Sequence, residues 1–146
     1  MTTTNGTRAL RACLPAKRVL IGSFLNLAAT ASLLRRESPD ELLLVCSGTF
    51  DQAAYEDILG AGALCDLVWA AYQNGPVADS AQIARRLFQL EQGDLLSAVA
   101  GSRNGRRLLS RADLKADVAF CVQRDVLGIV AEMGRDAVVR TASRET

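Results

Sequence analysis

Two short aliphatic runs, each closed by a small polar loop and followed by a helical pattern, constrain this chain most. Val19-Leu20-Ile21 ends at Gly22-Ser23, and Leu42-Leu43-Leu44-Val45 leads through Cys46 to Ser47-Gly48-Thr49. Runs so short and so continuous in Val, Leu and Ile read as strands covered on both faces. Glu41 to Cys46 is the clearest of them. After the first run, Asn26 to Arg36 reads as a helix, with Leu27, Ala28, Ala31 and Leu34 on one face. Arg35-Arg36 in its last turn suits the negative end of the helix dipole. After the second, Tyr55 to about Ala71 repeats Ile58, Leu59, Leu64, Leu67 and Val68 at helical spacing. Such alternation predicts an α/β fold, with helices in three α/β/α layers around a mixed or mostly parallel sheet.

The remaining elements follow from local signals. Arg8 to Leu14 is a short helix stopped by Pro15. Asn74-Gly75-Pro76 breaks the chain, and Ala78 to Leu109 is helical in three pieces. The first is Asp79 to Glu91, the second runs from a capping Asp94 to Gly101, and Asn104-Gly105 opens the third. Asp117 to Gln123 reads as a short helix and Gly128 to Ala131 as a last strand. Arg135 to Thr146 carries little apolar surface and is expected to fray, giving a domain over 1–134 and a polar tail over 135–146. Gly60-Ala61-Gly62 lacks the spacing of a dinucleotide fingerprint and is expected to allow close packing on the sheet.

Composition excludes several functions. The 146 residues are 49% hydrophobic, enough for the core of one domain. Seventeen Lys and Arg against sixteen Asp and Glu leave a charge of +1, without the basic footprint of a nucleic-acid binder. No apolar run is long enough to span a membrane and no secretory pattern opens the chain, so the cytoplasm is expected. There is no histidine, which removes Ser-His-Asp triads, phosphohistidine intermediates and His-ligated zinc. The residues six positions after the four cysteines are Val19, Gln52, Ala71 and Leu127, so the Cys-to-Arg spacing of cysteine phosphatases is absent. Cys13, Cys46, Cys65 and Cys121 read as small buried hydrophobes.

Small polar residues converge at the loops. Thr2-Thr3-Thr4-Asn5-Gly6-Thr7 precedes the first helix, where backbone N–H groups and the helix dipole can hold an anion or a single side chain can cap. Ligands bind open α/β sheets at the carboxyl ends of strands, where Ser23, Asn26, Ser47, Gly48 and Thr49 stand; turn chemistry explains them equally. A loop leading into a helix ordinarily follows a strand, and Met1 occupies that place. The chain is therefore expected to be the second part of a longer domain.

Six stretches in register carry a resemblance to the 2-phosphosulfolactate phosphatases. They are Thr2 to Thr7, Val19 to Asn26, Val45 to Thr49, Glu56 to Leu64, Ser102 to Leu108 and Asp117 to Cys121. The resemblance covers residues 2 to 134. It implies a magnesium-dependent phosphatase that hydrolyses 2-phosphosulfolactate on a route toward coenzyme M, here without the family's preceding segment. Such chemistry needs anion donors, a cation and a group that positions water. Thr3, Thr4, Asn5, Gly6 and Thr7 are the first candidates for the phosphate, with Ser23, Asn26, Ser47, Gly48 and Thr49 around them. Glu56 and Asp57 are candidate magnesium ligands and catalytic carboxylates, although acids in a first helical turn also serve the dipole. Asp117 is a third carboxylate, and Arg103 and Arg106 suit phosphate, sulfonate or carboxylate groups. A non-catalytic remnant that binds an anion or a protein is the rival reading. Either way, an incomplete sheet predicts an exposed edge covered by a second copy or a partner.

Overall fold

The computed structural model describes residues 4–142, and of Thr4 only the backbone. It is a mixed α/β chain dominated by helices. Helix α1 spans Thr4–Ala12, β1 is Val19–Ile21, and a single 3-10 turn at Phe24–Asn26 leads into α2, Leu27–Glu37. Then come α3, Tyr55–Tyr72, and α4, Asp79–Glu91. Three short helices follow, α5 at Leu95–Ala100, α6 at Arg103–Leu109 and α7 at Lys115–Cys121. Strands β2, Ala131–Met133, and β3, Val139–Thr141, close the chain.

The core forms where the apolar stripes of these helices meet. Phe24, Leu27, Ala31 and Leu34 from the α2 region pack with Leu59, Ala63, Leu64 and Val68 of α3, Phe88 of α4, and Leu95, Val99 and Val118. Leu20 of β1 rests on the same cluster, as do Leu42 and Leu44. Helices α3 and α4 lie close because of one glycine. A Cβ on Gly62 would stand 2.7 Å from the Ala84 carbonyl carbon and 2.9 Å from the Phe88 Cβ, whereas one on Gly60 would meet nothing. The small-residue run therefore does allow close packing, against a helix and not the sheet.

The sheet departs from the expected one. Among the described residues it has three strands in the order β1-β2-β3, both pairings antiparallel. Val19 faces Met133 and Ile21 faces Ala131; Ala131 faces Thr141 and Met133 faces Val139. The strand expected at Gly128 to Ala131 is β2, which begins three residues later, at Ala131. The stretch expected to fray carries β3, because the Gly134–Val138 turn folds it back on β2. Asp136 takes two hydrogen bonds from Arg140 across that turn, at 2.9 and 2.6 Å.

Glu41 to Cys46 is the main correction. It has the alternation of a strand, with Leu42 and Leu44 inward and Leu43 and Val45 outward, yet no described residue pairs with it. Cys46 is consequently exposed, as is Cys121, while Cys65 alone of the four is buried. The region near β1 is tied by Arg18, which reaches Glu37 at the end of α2 and forks onto both oxygens of Glu132 in β2, at 2.9 and 2.7 Å. Hydrogen bonds to these carboxylates hold its guanidinium even more firmly protonated than usual, against the opposing effect of burial.

Candidate functional site

The first candidate group lies on α1. Thr3 and the side chain of Thr4 fall outside the described residues. Asn5, Gly6 and Thr7 are not a loop, as expected from their composition, but belong to the first turns of the helix. Short polar residues and glycine are poor helix formers, but a first turn tolerates them because its N–H groups have no intrahelical partners. Arg8 of the same helix reaches Asp51 at 3.0 Å across an exposed ion pair, which brings α1 to the loop after residue 47.

That loop is a tight hairpin turn. Thr49 and Gln52 exchange two backbone hydrogen bonds, at 2.9 and 3.1 Å. Between them Phe50 and Asp51 both adopt positive φ, 54° and 57°. Glycine or asparagine normally fills such a turn, so these two side chains hold a strained backbone. Gly48 also has positive φ, 66°, and a Cβ there would approach the Gln52 carbonyl.

The two acids of α3 serve different walls. Neighbouring residues on a helix project about 100° apart and do not face each other. Asp57 turns to the loop, where its Oδ2 accepts from the Gly48 N–H at 2.7 Å and the Ser47 hydroxyl at 3.2 Å. Glu56 turns the other way, and its Oε1 accepts from the side-chain amide of Asn104. The same amide donates to the Thr49 hydroxyl at 2.8 Å. Glu56 Oε2 is buried and has no partner among the described residues.

Arg103 completes this cluster from the first turn of α6, donating to the Thr49 carbonyl at 3.2 Å and to the side chain of Gln52. Helix α6 is set there by Ser102, whose hydroxyl caps the Gly105 N–H at 2.9 Å. Gly105 itself allows α6 to lie on α5, since a Cβ would stand 2.8 Å from the Val99 carbonyl carbon and closer still to its oxygen. A cavity of about 210 Å³ opens beside these groups, lined by Ala53, Ala54, Tyr55, Glu56, Arg103 and Asn104. Burial, and then its hydrogen bond to Glu91, push the Tyr55 phenol above its usual range.

Thr49, Glu56 and Arg103 are thus brought together, and Asn104 and Gln52 join them without having been candidates. Asn104 lies in the Ser102 to Leu108 stretch, but beside glycine it reads as turn punctuation. The other candidates lie elsewhere or are engaged. Asn26 is buried, accepts from the Ser23 backbone at 2.8 Å and the Ser23 hydroxyl at 3.2 Å, and donates to the Ile21 and Ile129 carbonyls. Ser23 and Asn26 therefore close a reciprocal capping box. Arg106 turns back to the Gly101 carbonyl. Asp117 is exposed in the first turn of α7, where it adds to the burial that raises the Cys121 thiol.

Among the described residues, no helix is long and apolar enough to cross a membrane, and no three Cys, Asp or Glu gather at one point. Comparison with known proteins gives a consistent likeness. A sequence model of the family described as 2-phosphosulpholactate phosphatase matches residues 1–136. A probable 2-phosphosulfolactate phosphatase of Thermosynechococcus vestitus is 35% identical over 89% of this chain and 54% of its own length. Proteins of the same description from Caldicellulosiruptor saccharolyticus and Symbiobacterium thermophilum are 34% and 36% identical. They cover 95% and 94% of this chain and 58% of their own length. The chain spans little more than half the length of these relatives.

Proposed function

Because the chain belongs to the 2-phosphosulfolactate phosphatase family, we propose that it carries one wall of a phosphatase site for a small phosphate ester. The expected substrate is 2-phosphosulfolactate, released as sulfolactate and phosphate on a route toward coenzyme M. The observation that supports this most is the unpartnered, buried Glu56 Oε2 beside the Arg103 and Asn104 side chains. A carboxylate oxygen left without a donor in such a place costs free energy unless something completes it.

Each residue has a separable role. Arg103 is held by the Thr49 carbonyl and by Gln52, and its fork is suited to a phosphate, sulfonate or carboxylate oxygen. Asn104 fixes Glu56 by one oxygen and leaves the other to hold a cation or, without one, to accept a proton from water. Thr49 positions Asn104, and Asp57 shapes the loop through Gly48 and Ser47. The backbone N–H groups of α1 at Asn5, Gly6 and Thr7 offer further anion donors. Water is the nucleophile in this reading, since no cysteine lines the cavity among the described residues.

The donor set fits magnesium at a single carboxylate. Glu56 Oε2 is a hard oxygen without a partner, and Mg²⁺ commonly takes one or two carboxylates with the rest water and substrate oxygen. Asp57 is engaged by the loop, so Glu56 would be the principal holder. When bound, the ion supplies positive charge against the charge that develops on the phosphoryl group. The site would lie in a three-layer α/β/α arrangement with a mixed or mostly parallel sheet, to which this chain contributes in part.

Colorimetric phosphate release from 2-phosphosulfolactate, with and without magnesium, tests this reading. Release is expected from the full chain, lowered about a hundredfold in Glu56→Gln. The engagement of Asp57 by the loop and of Arg106 by the Gly101 carbonyl, which leaves Glu56 as the one open carboxylate here among the described residues, favours a second reading, a non-catalytic anion-binding form. Calorimetric binding of the substrate without any release would establish that reading, and neither binding nor release would overturn both.

A further inference from the structure

We propose that residues 41–47 are an open strand that takes up an extended polypeptide segment. That segment is supplied by the part of the family's longer chains lying outside the match to this one. The proposal rests on family membership and not on the hydrolytic reading.

Glu41-Leu42-Leu43-Leu44-Val45-Cys46-Ser47 buries side chains at every second position. Leu42 and Leu44 rest on the core, while Leu43 and Val45 are 79% and 50% exposed. A period of two is that of a strand lying on a core. Yet among the described residues no backbone group of this stretch pairs with another backbone group. Free strand edges are normally guarded by lysine, proline, a bulge or a covering element. This one has a single charge, Glu41, and neither lysine nor proline.

A second edge lies over the same core. Among the described residues β1 has only β2 as a neighbour, so its other side is unpaired, and Leu20 shares the cluster that Leu42 and Leu44 touch. Two unguarded edges on one core describe an unfilled place in a sheet. The occupant must offer main-chain hydrogen bonds and apolar cover for Leu43 and Val45. A second copy pairing through 41–47 would leave the β1 edge as it is. The relatives, of which this chain spans 54% to 58%, carry the further length from which strands for both edges can come.

The test is co-expression of the full chain with the remainder of the Thermosynechococcus vestitus relative, read by co-purification and hydrogen–deuterium exchange. Alone, the amides of 42–47 are expected to exchange at the rate of open chain. In the co-purified complex their exchange slows by about tenfold or more, and alkylation of the exposed Cys46 slows with it. Val45→Pro removes a donor from the strand and should abolish co-purification while leaving the chain's own melt unchanged. Leu43→Asp, at an exposed position, should weaken it through lost apolar cover. Failure to co-purify overturns the proposal. So do amides already protected in the isolated chain, and protection that rises with the chain's own concentration, which would make the occupant a second copy.

Discussion

Replacing Gly105 by alanine tests how the cavity wall is held. Gly105 lies in the first turn of α6, where its N–H is capped by Ser102 at 2.9 Å. The added Cβ would stand 2.8 Å from the Val99 carbonyl carbon and 3.0 Å from the Ala100 Cα, and would overlap the Val99 oxygen outright. Favourable carbon–carbon contact begins near about 3.5 Å, so α6 must retreat from α5 by more than about half an ångström. Overpacking of this kind costs about 1–3 kcal/mol, and weakening the Ser102 cap adds up to about 1 kcal/mol. Better helix propensity returns at most about 1 kcal/mol. The net loss is about 2 kcal/mol, a fall in melting temperature of about 4–8 °C for a chain of this size. Gly60→Ala is the control, because its Cβ meets nothing in α3 and should leave the melt unchanged or raise it. The retreat carries Arg103 and Asn104 with it. In Gly105→Ala the Asn104 side-chain amide should therefore lose hydrogen-exchange protection even well below the melt. A Gly105→Ala protein that melts at or above the parent, with Asn104 still protected, would refute the account of a glycine-set helix contact.

Arg18→Met should destabilise the fold by about 2 kcal/mol, because Glu37 and Glu132 are left half-buried without their partner. Urea unfolding measures this, with Arg18→Lys recovering only part because it cannot fork onto both oxygens of Glu132; equal midpoints for all three proteins would sink it. Asp136 is expected to titrate at about 2, held down by its hydrogen bonds from Arg140 and the Val138 N–H. A depressed carboxylate pKa adds stability that is present above the unfolded value near 3.8 and is lost as pH falls through about 2. The Asp136 carboxyl chemical shift, followed by NMR from pH 6 to about 1.5, should show that midpoint, and Arg140→Ala should move it up toward the ordinary value.

The elements legible in the sequence are those fixed by local periodicity. Helix α3 announces itself through Ile58, Leu59, Leu64 and Val68, and β1 through Val19 and Ile21 beside Gly22. Glu41 to Cys46 has the right composition and the right alternation of faces, but pairing depends on a neighbour that a short window cannot show. Strand β3 was hidden for the opposite reason. Its residues are exposed, and it is held by a polar turn and its pairing with β2. At the site, charge and residue type pointed to Glu56, Thr49 and Arg103. They could not say that consecutive acids on α3 would part company, Glu56 toward Asn104 and Asp57 toward Gly48. Nor could they separate Ser23 and Asn26, which satisfy each other in a cap, from groups free to meet a ligand.

The turn at Phe50 and Asp51 has a kinetic consequence. Two non-glycine residues in the left-handed region store about 2 kcal/mol, and Phe50 is 73% exposed, so little burial holds it in place. Opening this turn releases that energy while breaking the Thr49–Gln52 pair, the exposed Arg8–Asp51 bridge and the Arg103 grip, and it loosens the Asn104 bond to the Thr49 hydroxyl. The helical core need not loosen for this to happen. The turn should then open locally far more often than the chain unfolds, and any change that relaxes its closed form, such as Asp51→Gly, should make that opening rarer.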